Sequence, residues 1–182
     1  MRQDGCMDSE DATPAAWVSS VAEPLSTGRF EGREAFEQLI RAALARAAQE
    51  GWREIVLSDA TFADWPLCER VVADSLQAWS ASGRRFIMLA TGFDEVIRRH
   101  ARFVSWRKTW GHIIDCRLCK GAHAVDFPSA IWTQGWFMHR LDTQRSHGVC
   151  GVDRMRGIQL KELLDEKIRN SSVGFPSSTL GL

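Results

Sequence analysis

Between residues 33 and 116 helical and extended hydrophobic periods alternate, and this alternation limits the possible folds more than any other feature of the chain. Phe36, Leu39, Ile40, Ala43, Leu44 and Ala47 recur at spacings of three and four, which predicts one buried face of an amphipathic helix. Gly51 fits the left-handed stop after it. The short apolar run Glu54–Ser58 suits a buried strand. Pro66 sits where the first turn of a second helix tolerates it, with Leu67, Val71, Val72, Leu76 and Trp79 as the inner face and Gly83 as the stop. Arg85–Ala90 reads as a second strand. Phe93, Val96, Ile97, Ala101 and Val104 form a third helical face, and His112–Cys116 reads as a third strand. Strands alternating with helices predict an α/β fold: a mixed sheet with a parallel βαβαβ core flanked by helices.

The pattern changes after Lys120. Ala130-Ile131-Trp132, Trp136-Phe137-Met138 and Gly148-Val149-Cys150-Gly151 predict paired strands. Asp153 should N-cap a last helix carrying Leu160, Leu163, Leu164 and Ile168. Residues 1–32 hold six carboxylates against Arg2 and Arg29, and Pro14, Pro24, Gly28 and Gly32 interrupt them. They read as a flexible acidic segment, 33–170 as the α/β domain and 171–182 as a tail without helical period. At 182 residues and 45% hydrophobic content the chain can bury a core without disulfide or metal. Phe36, Leu39, Ile55, Leu57, Leu76, Ile87, Leu89, Ile97 and Ile114 are the expected core.

The predicted element order resembles one half of the phospholipase D-like fold. In that family a late strand carries H-x-K-x-x-x-x-D, followed closely by glycines. The matching stretch here is Gly135-Trp136-Phe137-Met138-His139-Arg140-Leu141-Asp142, then Gly148 and Gly151. Asp142 fits the motif. Gly135 stands in the histidine's place and Phe137 in the lysine's. The resemblance implies a catalytically degenerate half, of the kind found as short bacterial proteins of unknown function. Phosphodiester attack needs a nucleophile and a group to neutralise developing phosphoryl charge, and glycine and phenylalanine supply neither. His139 and Arg140 are adjacent, so on a strand they point to opposite faces and cannot jointly replace the missing pair.

Other clusters carry other expectations. Ligands of open α/β sheets collect at the carboxyl ends of strands, which makes Asp59, Asp64, Thr91 and Gly92, joined by His139, Arg140 and Asp142, the expected anion or ligand pocket. Helix capping by Asp64, Thr91 or Asp94 is the plainer use of those loops. Residues 84–120 are basic; Arg98, Arg99, Arg102, Arg107 and Lys108 form a candidate cationic surface, with Trp106 and Trp110 interleaved as stacking groups for nucleic acid. The i,i+4 pairs Asp94–Arg98 and Glu95–Arg99 equally describe a solvated helix face. Cys116, Cys119 and His123, with His147 or Cys150, have zinc-ligand identities, but two cysteines three apart on a straight strand face opposite ways. No metal and no cofactor are therefore expected. The odd cysteine count and an N-terminus without an apolar secretory run suggest reduced thiols in a cytoplasm. No apolar run approaches the roughly 20 residues of a membrane span. The function expected is a non-catalytic binding or interaction domain, compatible with a homodimer or protein partner. A phosphodiesterase with a relocated site at His139, Arg140 and Asp142, and a nucleic-acid accessory protein, are the alternatives.

Overall fold

The structure, a computed structural model, describes residues 24–83 and 85–175. Among them eight strands form one mixed sheet. In chain order the elements are β1 (Gly28–Phe30), α1 (Arg33–Glu50), β2 (Glu54–Ser58), α2 (Arg70–Ser80), β3 (Arg85–Ala90), α3 (Asp94–Arg99), α4 (Ala101–Thr109), β4 (Ile114–Leu118), β5 (Ser129–Trp132), β6 (Phe137–Asp142), β7 (His147–Gly151), α5 (Arg154–Arg169) and β8 (Ser172–Val173), with a 3-10 turn at Ala124–Asp126. The sheet order is β1-β7-β6-β5-β2-β3-β4-β8. Strand β3 runs parallel to both β2 and β4, and the other pairs are antiparallel.

Helices α1 to α4 all cover one face. Phe36, Ile40 and Leu44 of α1, Leu76 and Trp79 of α2, Val96 of α3 and Phe103 of α4 pack on Ile55, Leu57, Phe86 and Met88. Phe86 sits at the centre, with the Trp79 ring 5.8 Å away, Phe103 6.1 Å and Trp106 5.1 Å. Full burial of each such side chain contributes roughly 1.5–3 kcal/mol. The tryptophans also fasten elements together, because among the described residues each indole N–H, except that of Trp65, has an acceptor. Trp79 donates to the Trp52 carbonyl at 2.6 Å, Trp106 to Ser80 Oγ at 2.8 Å and Trp136 to the Ser26 carbonyl at 3.0 Å.

The opposite face carries α5 alone. Leu160 and Leu164 of α5 meet Val56, Ile87, Leu89, Ala130 and Phe137, and Cys119 and Phe127 of the β4–β5 connection close the cluster. Asp153 caps α5 by accepting the Arg156 N–H at 2.8 Å. Gly51 ends α1 with φ 63°, a conformation that strains a residue with a side chain.

Several expectations shift. The acidic segment expected over 1–32 gives up its last part to the sheet: β1 pairs with β7, Phe30 is buried, and residues 1–23 lie outside the described residues. The tail contributes β8, and Phe175 stacks 5.4 Å from Phe93. The helical face over 93–104 breaks at His100 into α3 and α4. Ile97 is consequently exposed, because six-residue α3 buries only Val96. Val71 is exposed too: a turn closed by Glu69 N–H to the Pro66 carbonyl delays α2 until Arg70. A turn at Trp110–Ile113 moves the third strand two residues on, to Ile114–Leu118. The other expected core residues are buried.

Candidate functional site

Strand β6 divides the sequence-predicted site by simple alternation. Met138 and Arg140 face the four-helix side, while Phe137 and His139 face α5. Asp142, the last residue of β6, lies past the strand's irregularity and leads into the turn before β7. Its carboxylate accepts the N–H groups of Gln144 at 2.9 Å and Arg145 at 3.0 Å. The Arg145 N–H first, then that of Gln144, holds this carboxyl below its usual value. Asp142 is thus a turn-forming residue. Gly148 follows at a close approach, since a Cβ there would fall 2.3 Å from the His139 carbonyl oxygen and 2.5 Å from the Phe30 ring.

On the four-helix side, Arg140 is buried and bonded at all three guanidinium nitrogens. Its Nε donates to Ser129 Oγ at 3.0 Å, Nη1 to Asp64 Oδ2 at 2.5 Å, and Nη2 to Asp59 Oδ2 at 2.9 Å and Asp64 Oδ1 at 3.2 Å. The guanidinium lies 4.0 Å over the Phe36 ring. Asp59 spends its second oxygen on the N–H groups of Thr61, at 3.0 Å, and Phe62, at 2.8 Å. This turn holds Phe62 at φ 59° and aims its carbonyl at His100 Nε2, 2.8 Å away. A carbonyl only accepts, so Nε2 carries the proton, and the buried Nδ1 has no partner. Burial first, and Arg99 to a smaller degree, keeps this imidazole below its ordinary pKa. Thr91 Oγ1 donates to the Ala60 carbonyl at 2.8 Å, with Gly92 beside it. Asp59, Asp64 and Arg140 therefore do converge and satisfy one another, while Thr91 bonds the Ala60 carbonyl of the β2–α2 loop. The result is a buried ion cluster that ties β6 to the β2–α2 loop.

The other face holds an open groove of about 880 Å³. Its floor is β1, β7 and β6, through Arg29, Glu31, His147, Val149, Phe137, His139 and Leu141. Its wall is α5, through Arg156, Gln159, Leu160 and Leu163. His147 Nε2 lies 3.2 Å from Glu31 Oε1. Burial holds the His139 imidazole below its ordinary value. Of the expected pocket residues only His139 lines this groove. Arg29 was missed because it falls in the segment expected to be flexible, and Arg156 because helix periodicity says nothing of what lies beside an exposed face.

Phe137, in the motif lysine's position, is buried in the α5 cluster. Gly135 borders a separate cleft of about 490 Å³ with Trp132, Trp136 and Ile158.

The candidate basic surface needs correction. Arg107 is buried: its Nε lies 3.1 Å from Cys116 Sγ, its Nη2 donates to the Phe175 carbonyl, and its guanidinium lies 4.4 Å over the Phe175 ring. Helix α4 turns that position inward, toward β4 and the tail. Trp106 is buried too. Arg98, Arg99, Arg102 and Lys108 are exposed. Arg98 and Arg99 share Glu95, at 3.2 and 2.7 Å, and Arg102 donates to the Cys68 carbonyl at 2.7 Å.

Cys116 and Cys119 belong to opposite faces of the sheet, and burial pushes both thiols up. Among the described residues no group of three His, Cys, Asp or Glu is placed to hold a metal, and no helix is long and apolar enough to cross a membrane.

No protein-family model and no curated protein matches the sequence. Among solved structures the chain is similar to TrmBL2, an archaeal chromatin protein whose structure shows a novel mode of DNA binding. The TM-score is 0.59 at 14% identity, over 83% of this chain and 55% of that one. This chain thus spans about half the length of TrmBL2, and what the two share is a fold.

Proposed function

We propose that this chain is a catalytically silent, phospholipase D-like half that works as a binding domain. The observation that carries this reading is the separation of His139, Arg140 and Asp142. The histidine faces the groove, the arginine is saturated by two carboxylates on the other side of the sheet, and the aspartate is spent on a turn. A relocated phosphodiesterase site would need these groups on one phosphoryl centre. The parallel β2-β3-β4 segment, helix-covered and followed by antiparallel strands, supports the scaffold assignment. The test is turnover of bis-p-nitrophenyl phosphate, a phospholipid and a DNA oligonucleotide by the purified chain. No turnover is expected. Turnover abolished by both His139→Ala and Asp142→Asn, in folded protein, would promote the enzyme reading.

Nucleic-acid binding is the second reading. It is favoured by the exposed Arg98, Arg99, Arg102 and Lys108 and by the shared fold with a chromatin protein. Such contacts release counterions, so affinity for a mixed oligonucleotide would fall steeply with salt and weaken in Arg98→Ala/Arg102→Ala.

A further inference from the structure

We propose that the groove between β1, β7, β6 and α5 binds a small phosphate monoester with an apolar body, an aryl phosphate in the simplest case. The inference deepens the binding-domain reading and rests on it. Its first support is size: about 880 Å³ falls within the range of small-molecule pockets. The second is the lining. Phe137, Val149, Leu160 and Leu163 give an apolar bed, and Arg29, Glu31, His139, His147, Arg156 and Gln159 bring polar side chains to it. The third is charge. Arg29 and Arg156 are exposed, and among the described residues no carboxylate pairs with either. Arg33, Arg46, Arg70, Arg85, Arg98 and Arg99 do pair with carboxylates. The exposed Arg53, Arg145, Arg154 and Arg169 also lack a carboxylate among the described residues, but none of them lines the groove. His139 and His147 add two further nitrogen-bearing groups from adjacent strands. Glu31 is the groove's one carboxylate; its side chain is 83% exposed and leans on His147 at the rim. Two unpaired guanidiniums beside an apolar bed match an anion that carries a ring, because guanidinium meets phosphate in a two-pronged fork.

The location follows from the fold. Strand alternation buries Phe30 under the four helices and leaves Arg29 on the face opposite. Helix α5 lies over β5 and the central strands, and among the described residues no further element covers the β1–β7 end of that face.

Calorimetric titration of the full chain with phenyl phosphate, inorganic phosphate and phenol tests the proposal. Phenyl phosphate should bind saturably and more tightly than either fragment. Arg29→Ala and Arg156→Ala should each weaken it about tenfold, the equivalent of one lost charge-assisted hydrogen bond. Glu31→Gln should tighten it. Arg98→Ala, far along the sheet, should leave it unchanged. A nucleoside 5′-monophosphate and an oligonucleotide bearing a 5′-phosphate distinguish a free small molecule from a nucleic-acid end. Oligonucleotide binding tighter than the mononucleotide and lost in Arg29→Ala would overturn the small-molecule assignment. So would absence of saturable phenyl phosphate binding, or equal weakening by Arg98→Ala. Thermal melts of the arginine variants, both at exposed positions, verify folding. The two readings fail separately: release of phenol from phenyl phosphate would sink the non-catalytic reading with the site intact, whereas no binding and no release would sink only the site.

Discussion

The two faces of the sheet solve the burial problem differently. Four helices close one face with a continuous aromatic core, and a polar cluster stays inside it because each guanidinium nitrogen of Arg140 meets an acceptor. One helix and a loop close the centre of the other face, and among the described residues its β1–β7 end is an open groove lined by two arginines without carboxylate partners. The same strand, β6, serves both. The lesson is that a charged residue in the expected pocket does not mark a ligand site. Arg140 is the most extensively bonded cation in the site and so the least available, while Arg29 and Arg156, with no carboxylate partner among the described residues, are the cations the proposed anion site would use.

The contrast can be broken most forcefully at the centre of the sheet. Ile87→Asp places a carboxylate in a fully buried position of the α5 face, where an unpaired charge cannot be accommodated. No soluble, cooperatively folding protein is expected; a normal urea transition would mean that α5 seals nothing.

Arg140→Ala should come next. It leaves Asp59 buried without its cation, and loss of one partner of a buried pair costs about 3–5 kcal/mol. Urea denaturation should show this loss, and adding Asp59→Asn should recover part of it. A cost within about 0.5 kcal/mol, as for an ordinary surface site, would show that the cluster is not what ties β6 to the loop.

The four-helix face should also respond to pH through His100. An unfolded imidazole takes up its proton near 6.5, and the native one only at lower pH. The unfolded chain therefore binds more protons in that window. Stability from this group is complete above 6.5 and is lost as the pH falls toward the native value. His139, also held low by burial, adds a slope of the same sign. Chemical denaturation at a series of pH values below 6.5 should show the decline, and His100→Gln, which keeps a donor for the Phe62 carbonyl, should flatten it.

Smallest of all should be the effect of the groove on stability. Leu141→Ala and Arg156→Ala alter exposed side chains and should shift stability by no more than about 0.5 kcal/mol. Thermal melts check this. A large loss would mean that the groove is structural rather than free for a ligand.

Much of this architecture was legible in local spacing. The 3–4 period over 36–47, the apolar runs at 54–58 and 85–90 and the Asp153 cap depend on neighbours within a few residues, so the sequence displays them directly. The opposed directions of His139 and Arg140 follow from strand alternation, and the use of Asp142 in a turn from its place before Gly148. The break at His100 was not legible, because it depends on a carbonyl 38 residues earlier.

The element types, most of the core and the lack of an intact H-x-K-x-x-x-x-D motif rest on residue identity and periodicity, and are legible from the chain alone. Which charges find partners depends on long-range packing. Arg140 meets partners 76 and 81 residues away, and Arg107 meets Phe175 across 68 residues. Arg29 reaches the groove only because β1 pairs with β7 at the sheet's edge. Periodicity reports which face of an element is buried, but a salt bridge or a groove depends on which elements lie side by side, and that is fixed by strand order.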